Sequence, residues 1–290
     1  MSMGSLKAIV PPSLRALRWR LPWLRATDAY RTAPLRVLGR AARFTAAELG
    51  GKEVAFRSPD GLRLVTMPNN FSSFALCVAG ARDPDIWRFV ARRVGPGAVF
   101  VDAGANVGTY ALPAARLVGP SGHVIAFEAH PRTFGFLARN VAANDVPWVT
   151  ALNRALGEAP GEIEMDFEAA NPGETHVRAD AAPGGGARVP MTTLDVAMDE
   201  LGLGRIDYLK IDVEGFELPV LRGARGIIAA SPGIAIQTEL QERHAARYGH
   251  RIEEIAELLG GLGLRPHALE NGVPMPLQGR LVGDVIWLRA

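Results

Sequence analysis

From about residue 98 onward, short apolar runs alternate with longer stretches that carry apolar residues at helical spacing. Each apolar run is three to five residues long and ends in a polar residue, as expected of a strand that is buried on both faces. The predicted strands cover residues 99–101, 124–127, 148–152, 208–211, 234–237 and 284–288. Strands that alternate with helices over short connections predict an α/β fold, with a doubly wound, mostly parallel sheet and helices on both of its faces.

The chain before residue 98 shows two other patterns. In residues 1–50, leucines recur at helical spacing between arginines, which predicts a basic amphipathic helix. In residues 51–95, two strand-like runs flank the turn-forming sequence 58–61, and a helix begins at Pro84. We therefore predict a basic N-terminal arm at 1–50, a hairpin and helix at 51–95, and the α/β domain at 96–290.

Charge adds to the picture of the arm. Residues 1–50 hold nine basic and two acidic residues, whereas the whole 290-residue chain has a net charge of +2. One hypothesis places the arm on the anionic inner face of a membrane. The alternative packs it on its own domain or on a second copy of the chain, as a homodimer. The remainder of the chain is mildly acidic and shows no interleaving of basic and aromatic residues, so we expect no nucleic-acid partner.

Composition excludes several classes of protein. Cys77 is the only cysteine, which rules out an intramolecular disulfide framework and a Cys-rich zinc site, and we expect it to be buried as a small apolar side chain. No apolar run approaches the roughly 20 residues of a membrane span, and arginines and prolines interrupt the apolar core that a signal peptide needs, so we expect a cytoplasmic location. Residues 168–187 are polar and rich in Gly and Pro, which is typical of a functional or disordered loop.

Polar side chains stand where the predicted strands end. Ligands of open parallel sheets bind outside the carboxyl ends of the strands, and all of these ends lie at one edge of the sheet. We therefore predict a ligand site at this edge. Its candidate residues are Asp102, Glu128, Asn153, Asp212 and Glu239.

The turn after the first of these strands narrows the choice of ligand. Gly104, Asn106, Gly108 and Thr109 follow Asp102, and such a turn brings backbone N–H groups close to a ligand. A nicotinamide dinucleotide favours glycine at the position of Asn106, and its pyrophosphate would be repelled by an acidic neighbour. S-adenosylmethionine fits better, because it carries a sulfonium, an ammonium group and a ribose diol but no phosphate.

Each polar residue at the edge then has an expected role. Asp102 holds the methionyl end of the cofactor, directly or through water. Glu128 accepts both ribose hydroxyls, Asn153 pairs with the adenine edge, and Asp212 completes the site.

Motifs along residues 95–265 form a set that is specific as a group, although each is weak alone. They are Val101-Asp-Ala-Gly-Ala-Asn-Val-Gly108, Val124-Ile-Ala-Phe-Glu128, Asn153-Arg-Ala-Leu-Gly157, Thr193-Leu-Asp195, Lys210-Ile-Asp-Val-Glu-Gly215, Leu221-Arg-Gly-Ala224 and the strand ending in Glu239. With this set the chain resembles the FkbM family of S-adenosylmethionine-dependent methyltransferases, of the class I methyltransferase fold. The resemblance implies a seven-stranded sheet whose last strand is antiparallel. It also implies methyl transfer, commonly to a hydroxyl of a sugar, polyketide or other natural product. Pro113 and Pro219 depart from the family, because they stand inside predicted helices.

Methyl transfer to a neutral hydroxyl needs a base that removes its proton. The candidates are Glu239, Asp212, Glu214 and His244, of which Glu239 ends a strand and is not also needed to hold the cofactor. Magnesium bound by Asp212, Glu214 and Glu239 is a competing route, although we predict no metal site.

The leading hypothesis is therefore an S-adenosylmethionine-dependent O-methyltransferase that acts by in-line transfer on a small-molecule or glycan hydroxyl. The alternatives are an N-methyltransferase, an NAD-type oxidoreductase and a non-catalytic cofactor-binding scaffold.

Overall fold

The computed structural model describes residues 12–51, 53–81, 83–166, 176–177 and 187–289. These residues form two compact units, one at 12–84 and one from 85 onward. Residues 1–11 of the predicted arm and most of the predicted loop 168–187 lie outside the described residues.

The N-terminal unit consists of helices and one hairpin. Its elements are α1 (Pro12–Ala26), α2 (Asp28–Thr32), α3 (Pro34–Leu49), β1 (Val54–Arg57), β2 (Arg63–Thr66) and α4 (Phe71–Ala79). The predicted hairpin is confirmed, since β1 and β2 pair antiparallel with Val54 opposite Thr66.

One apolar core joins the predicted arm to the hairpin. Leu24 of α1, Val37 and Phe44 of α3, Val54 of β1 and Phe74 of α4 are nearly fully buried and pack in one cluster. The arm and the hairpin thus share one core and form one unit rather than two segments. The same two helices also expose large apolar side chains, namely Trp19, Leu21, Leu35, Leu38 and Leu49. No helix among the described residues is long and apolar enough to cross a membrane.

The second unit is built on a large sheet and a small one. Its strands are β3 (Val99–Ala103), β4 (His123–Phe127), β5 (Val149–Leu152), β6 (Ala155–Leu156), β7 (Gly161–Asp166), β8 (His176–Val177), β9 (Ala187–Thr192), β10 (Tyr208–Ile211), β11 (Ala235–Leu240), β12 (Leu264–Glu270), β13 (Val273–Pro276) and β14 (Gly283–Arg289). The large sheet has the order β13-β12-β14-β11-β10-β3-β4-β5. Strands β11, β10, β3, β4 and β5 are parallel, and β14 is antiparallel to β11.

The sheet confirms the predicted doubly wound α/β class and its antiparallel last strand, but it has eight strands instead of seven. The added strand, β13, pairs antiparallel with β12. Asn271 and Gly272 connect these two strands, both with positive φ, and this dipeptide is the preferred sequence for a two-residue hairpin turn.

Helices cover both faces of the large sheet. They are α5 (Pro84–Arg93), α6 (Ala111–Val118), α7 (Pro131–Ala143), α8 (Leu194–Glu200), α9 (Glu217–Arg222), α10 (Arg225–Ala229), α11 (Glu242–Ala245) and α12 (Ile252–Gly261). On one face, Leu209 of β10 packs in a cluster with Leu221 of α9 and Leu259 of α12. On the other face, Tyr208 stacks on Phe100 and contacts Phe89 of α5.

The small sheet, of order β6-β9-β7-β8, was not predicted. Its core residues Ala155, Met165 and Val189 pack with Phe216 and Tyr248. This places the small sheet beside the segment that follows β10.

Two local features complete the helical layer. The N-cap of α8 is Thr193, whose side chain accepts the N–H of Val196. The segment after β10 forms two short helices, α9 and α10. The prolines at 113 and 219 each occupy the third position of a helix, where the missing N–H would have had no intrahelical partner.

Candidate functional site

Three polar side chains lie in a row across the middle of the large sheet. Lys210 of β10 is in register with Asp102 of β3 on one side and with Gln237 of β11 on the other. Residues in register point to the same face of a sheet. The row therefore lies on the face that carries Tyr208 and Phe100, one step before the carboxyl edge.

Lys210 is the central cation of this row. Its Nζ lies 3.0 Å from Asp102 Oδ1, 3.1 Å from the carbonyl oxygen of Gly104 and 3.6 Å from Asp212 Oδ2. The ammonium also lies 4.9 Å from the ring centroid of Tyr110. Burial by itself would lower the pKa of Lys210, but the carboxylates of Asp102 and Asp212 outweigh it, and the pKa is raised. Lys210 therefore stays protonated.

Asp102 is enclosed more deeply than the sequence suggested. It is 0% exposed, and its carboxylate forms an ion pair with Lys210. Burial raises the pKa of Asp102, and the ammonium group of Lys210 opposes that rise. The side chain of Asp212, in contrast, is 25% exposed. Of the two carboxylates around Lys210, that of Asp212 is thus accessible to a ligand, whereas that of Asp102 is enclosed beside Lys210.

The predicted turn has the backbone that its glycines imply. Gly104, Asn106 and Gly108 all have positive φ. A Cβ atom on Gly104 would lie 1.9 Å from the carbonyl oxygen of Asp212, so only glycine lets the turns after β3 and β10 approach each other. Thr109 is buried directly after the turn. Asn106 stands where a nicotinamide dinucleotide would favour glycine. Its backbone adopts the left-handed conformation inside the turn.

Glu128 ties the ends of β3 and β4 together. Its Oε2 accepts the N–H of Asn106 at 2.9 Å, and its Oε1 accepts the N–H of His130 at 2.9 Å. Burial raises the pKa of Glu128 to about 7, although both N–H groups favour the ionised form. Each carboxylate oxygen has two lone pairs, so both retain capacity for the hydroxyl groups that the sequence analysis assigned to this residue.

The side-chain amide of Asn153 is partly engaged within the chain. Its Nδ2 donates to the carbonyl oxygens of Glu128 at 2.9 Å and of Ala129 at 2.8 Å. Both N–H donors of the amide thus hold the segment after β4 in place. The side-chain oxygen of Asn153 is the atom that remains for the predicted contact with the adenine edge.

The segment after β10 brings Glu214 and His244 together. Glu214 has positive φ, and its Oε2 lies 3.0 Å from Nδ1 of His244 in α11. The intervening contact is backbone to backbone, because a Cβ atom on Gly215 would lie 2.4 Å from the carbonyl carbon and oxygen of His244. Sequence analysis proposed both side chains separately as bases but did not predict that they form a pair.

Glu217 stabilises the same segment. Its Oε1 accepts the N–H groups of Gly215 at 3.0 Å and of Val213 at 3.3 Å. Burial raises the pKa of Glu217 to about 7. This carboxylate therefore shapes the turn that carries Asp212 and Glu214.

Glu239 lies inside β11, where it pairs in register with Asp284 of β14. Two residues earlier, Gln237 receives a hydrogen bond from Tyr208 at 3.0 Å and donates to Asp284 at 2.8 Å. Glu239 was a predicted site residue, whereas Gln237, Tyr208 and Asp284 were not, because their connection depends on cross-strand register. Among the described residues, no group of three or more His, Cys, Asp or Glu side chains is arranged as a metal site.

The order of the sheet and the glycine turn at its carboxyl edge define a Rossmann-like, cofactor-binding α/β domain. Residues 102–266, more than half of the chain, match the family model of the methyltransferase FkbM domain. The chain belongs to this family. The match confirms the resemblance inferred from the motifs and, with it, a methyltransferase domain.

Two curated relatives and one solved structure illustrate the likeness. Methyltransferase sdnD of Sordaria araneosa is 35% identical over 153 residues, which cover 42% of this chain and 59% of that protein. Hexuronic acid methyltransferase AglP of Haloferax volcanii is 27% identical over 142 residues, covering 49% of this chain and 56% of that protein. The crystal structure of methyltransferase FkbM from Methylobacillus flagellatus KT has 18% identity and a TM-score of 0.39, with 67% of this chain and 43% of that chain covered. The chain thus spans less than two thirds of the curated relatives' length.

The residues at the edge fit the cofactor that the family implies. A sulfonium and an ammonium group call for carboxylates, and a ribose diol calls for acceptors. The edge supplies Asp212, which is partly exposed, and Glu128, whose oxygens can each accept a further bond.

Proposed function

We propose that the protein transfers a methyl group from S-adenosylmethionine to a hydroxyl group of a sugar, a glycan or another natural product. When bound, the cofactor supplies a methyl group activated on a sulfonium. The observation that carries the proposal is the meeting, at one sheet edge of a methyltransferase domain, of the glycine turn after β3 and the Glu214–His244 pair.

The cofactor side of the site consists of the turn and the carboxylates around it. Gly104, Asn106 and Gly108 shape the backbone of the turn. Glu128 binds hydroxyl groups through lone pairs that the N–H groups of Asn106 and His130 leave available. Asp212 faces positive charge on the cofactor, while Lys210 holds Asp102 and Asp212 at fixed distances.

The acceptor side needs a base, because a neutral alcohol is a weak nucleophile. The carboxylate of Glu214, 3.0 Å from Nδ1 of His244, orients the imidazole ring. We assign the proton transfer to Nε2 of His244, with Glu214 as its positioning residue. Glu239, which the sequence favoured, is the second candidate base.

The relatives guide the choice of acceptor to test first. One of them is a hexuronic acid methyltransferase, and the resemblance to the FkbM family implies hydroxyl acceptors in general. We therefore place sugar hydroxyls, including those of uronic acids, ahead of polyketide hydroxyls and amines.

A transfer assay with isotope-labelled S-adenosylmethionine tests the proposal. Purified protein is incubated with sugars, uronic acids, polyketides, amines and fractions of cell extract, and the labelled product is identified by NMR. We expect an O-methyl product. An N-methyl product, or turnover without any methylated acceptor, would contradict the proposal.

The base is tested with His244→Gln and Glu239→Gln on the acceptor found. Loss of a general base typically costs about 100- to 10,000-fold in rate, and we expect this loss in His244→Gln. The matched control is His123→Gln, because His123 is exposed at the amino end of β4. A normal kcat in His244→Gln together with a large loss in Glu239→Gln would transfer the role to Glu239.

A further inference from the structure

The N-terminal unit contains a cavity of about 310 Å³ that the methyl-transfer site does not use. It lies between α3, β1 and α4, and its lining combines three arginines with two aromatic rings and a thiol. These residues are Arg40, Arg43, Arg57, Phe44, Phe56 and Cys77.

The spacing of the α3 residues explains how the cavity forms. Arg40, Arg43 and Phe44 are separated by three and four positions, so they share one face of the helix. Phe44 is buried and packs edge-on against Phe56 of β1, with ring centroids 5.6 Å apart. Arg57 follows Phe56 at the end of β1. The lining thus draws its three arginines from two elements, Arg40 and Arg43 from α3 and Arg57 from the end of β1.

None of these three arginines forms a hydrogen bond or an ion pair with the described part of the chain. Arg20 of the same unit is different, because it is buried and its two Nη atoms donate to the two carboxylate oxygens of Glu48, at 2.5 and 3.0 Å. Arg40 is half-buried, whereas Arg43 and Arg57 are exposed. Like charges gathered without a counter-ion repel one another, and a bound anion removes this repulsion.

The chemistry of the lining identifies the kind of ligand. Guanidinium groups bind phosphate and carboxylate through paired N–H donors. The aromatic floor suits an apolar or ring-shaped body, and 310 Å³ is at the small end of the range for ligand cavities. We propose that this cavity binds a small anionic ligand, a phosphate ester with an apolar body, which the three arginines hold above Phe44 and Phe56.

Cys77 provides a built-in probe, because it is the only cysteine in the chain and lies in the cavity wall. The rate of its alkylation by iodoacetamide is measured by mass spectrometry at mildly alkaline pH and constant ionic strength. Phenyl phosphate is the test ligand, with inorganic phosphate and phenol as its separate halves. We expect phenyl phosphate to slow alkylation, inorganic phosphate to do so more weakly, and phenol to have no effect.

Two variants assign the effect to the arginines. In Arg40→Gln/Arg43→Gln we expect the dissociation constant for phenyl phosphate, measured by calorimetry, to rise at least about tenfold. The matched control is Arg36→Gln, because Arg36 lies on the same helix but does not line the cavity. Circular dichroism verifies folding, and Arg57→Gln on β1 is the second variant if the double variant fails to fold. Equal loss in Arg36→Gln, or no binding by the wild-type protein, would overturn the proposal.

A vesicle experiment distinguishes the source of the phosphate. Vesicles of phosphatidylcholine with phosphatidic acid are sedimented with wild-type protein and with Arg40→Gln/Arg43→Gln. Co-sedimentation that the substitutions abolish identifies a lipid headgroup as the ligand, and protection by phenyl phosphate without co-sedimentation identifies a free phosphate ester. Co-sedimentation that the substitutions leave unchanged, without protection by phenyl phosphate, would overturn the proposal.

Discussion

Among the described residues, each unit of the protein contains an ion pair that is almost fully enclosed, and the two pairs differ in what surrounds them. In the N-terminal unit, the side chains of Arg20 and Glu48 are 1% and 0% exposed. In the second unit, the side chains of Lys210 and Asp102 are 4% and 0% exposed. Burial alone therefore does not separate a structural pair from a functional one.

The further contacts of each ion pair distinguish the structural pair from the functional one. Glu48 accepts two bonds from Arg20 and one from the N–H of Asn69, and the guanidinium lies 4.5 Å from the ring centroid of Phe74. All of these contacts serve the core of the unit. Lys210 is bonded to Asp102 and also contacts Asp212, whose side chain is partly exposed at the sheet edge. A buried pair that connects to an exposed carboxylate at a strand end can act on a ligand, whereas an enclosed bidentate pair stabilises the fold.

The largest expected difference between the two units is in their response to one added methyl group at a glycine. In Gly104→Ala the new Cβ lies 1.9 Å from the carbonyl oxygen of Asp212, so the turns after β3 and β10 must separate. We expect a loss on the order of 3 kcal/mol in the free energy of unfolding, together with loss of S-adenosylhomocysteine binding. The measurements are chemical denaturation and calorimetry.

The control for this substitution is Gly51→Ala in the N-terminal unit. Gly51 has φ of +65°, but nothing lies within 4 Å of its Cβ position. It therefore bears the backbone strain alone, about 1 kcal/mol, and should bind S-adenosylhomocysteine normally. Equal behaviour of the two variants would show that the close approach at Gly104 is unimportant.

The next difference concerns the two cations. Arg20→Met leaves Glu48 buried without its partner, and breaking such a pair costs about 3–5 kcal/mol of stability. We expect the folded fraction of this variant to transfer methyl groups at the wild-type rate. Lys210→Met should lose stability and should also bind S-adenosylhomocysteine about 100-fold more weakly, because Asp102 and Asp212 then repel each other. Denaturation curves and calorimetry on the folded protein separate the two effects.

The sequence was sufficient for those features that depend on local pattern. The alternation of strands and helices predicted the parallel sheet, and the polar residues at the strand ends predicted its edge. The Asn271-Gly272 turn could have been found in the same way, because this dipeptide by itself predicts a hairpin.

The remaining features depend on register between distant segments. Lys210 was part of a motif but was not predicted as a site residue. Nothing in the local sequence shows that it lies opposite Asp102, 108 positions earlier. The pairing of Glu214 with His244 depends likewise on where α11 returns to the sheet. Asn153 was given an adenine contact because its polarity was visible and its bonds to the carbonyl groups of Glu128 and Ala129 were not.

The smallest expected effect is on how the free energy of unfolding depends on pH. Glu128 and Glu217 both have pKa values raised by burial to about 7, above the ordinary value of 4.5. A raised folded-state pKa stabilises the protein fully below pH 4.5, and this contribution is lost as pH rises through 7. The unfolding free energy of the wild-type protein should therefore fall between these two pH values. In each of the variants Glu128→Gln and Glu217→Gln this fall should be smaller, by on the order of 1–3 kcal/mol.

Cofactor binding distinguishes these two carboxylates. The ionised form of Glu128 is the better acceptor of hydroxyl groups, so S-adenosylhomocysteine should bind more tightly as pH rises through 7, by up to about tenfold. Glu128→Gln should abolish this pH dependence and Glu217→Gln should retain it. If both variants retain it, Glu128 does not contact the cofactor.

The most direct test compares the binding of S-adenosylhomocysteine to Asp102→Asn and to Glu48→Gln by calorimetric titration. Both substitutions replace a carboxylate by an amide of nearly the same size. Each removes the carboxylate of one enclosed pair, and each is titrated where it is fully folded. The account predicts binding at least about 100-fold weaker in Asp102→Asn and unchanged in Glu48→Gln. Wild-type affinity in Asp102→Asn would contradict the assignment of the Lys210–Asp102 pair to the cofactor site.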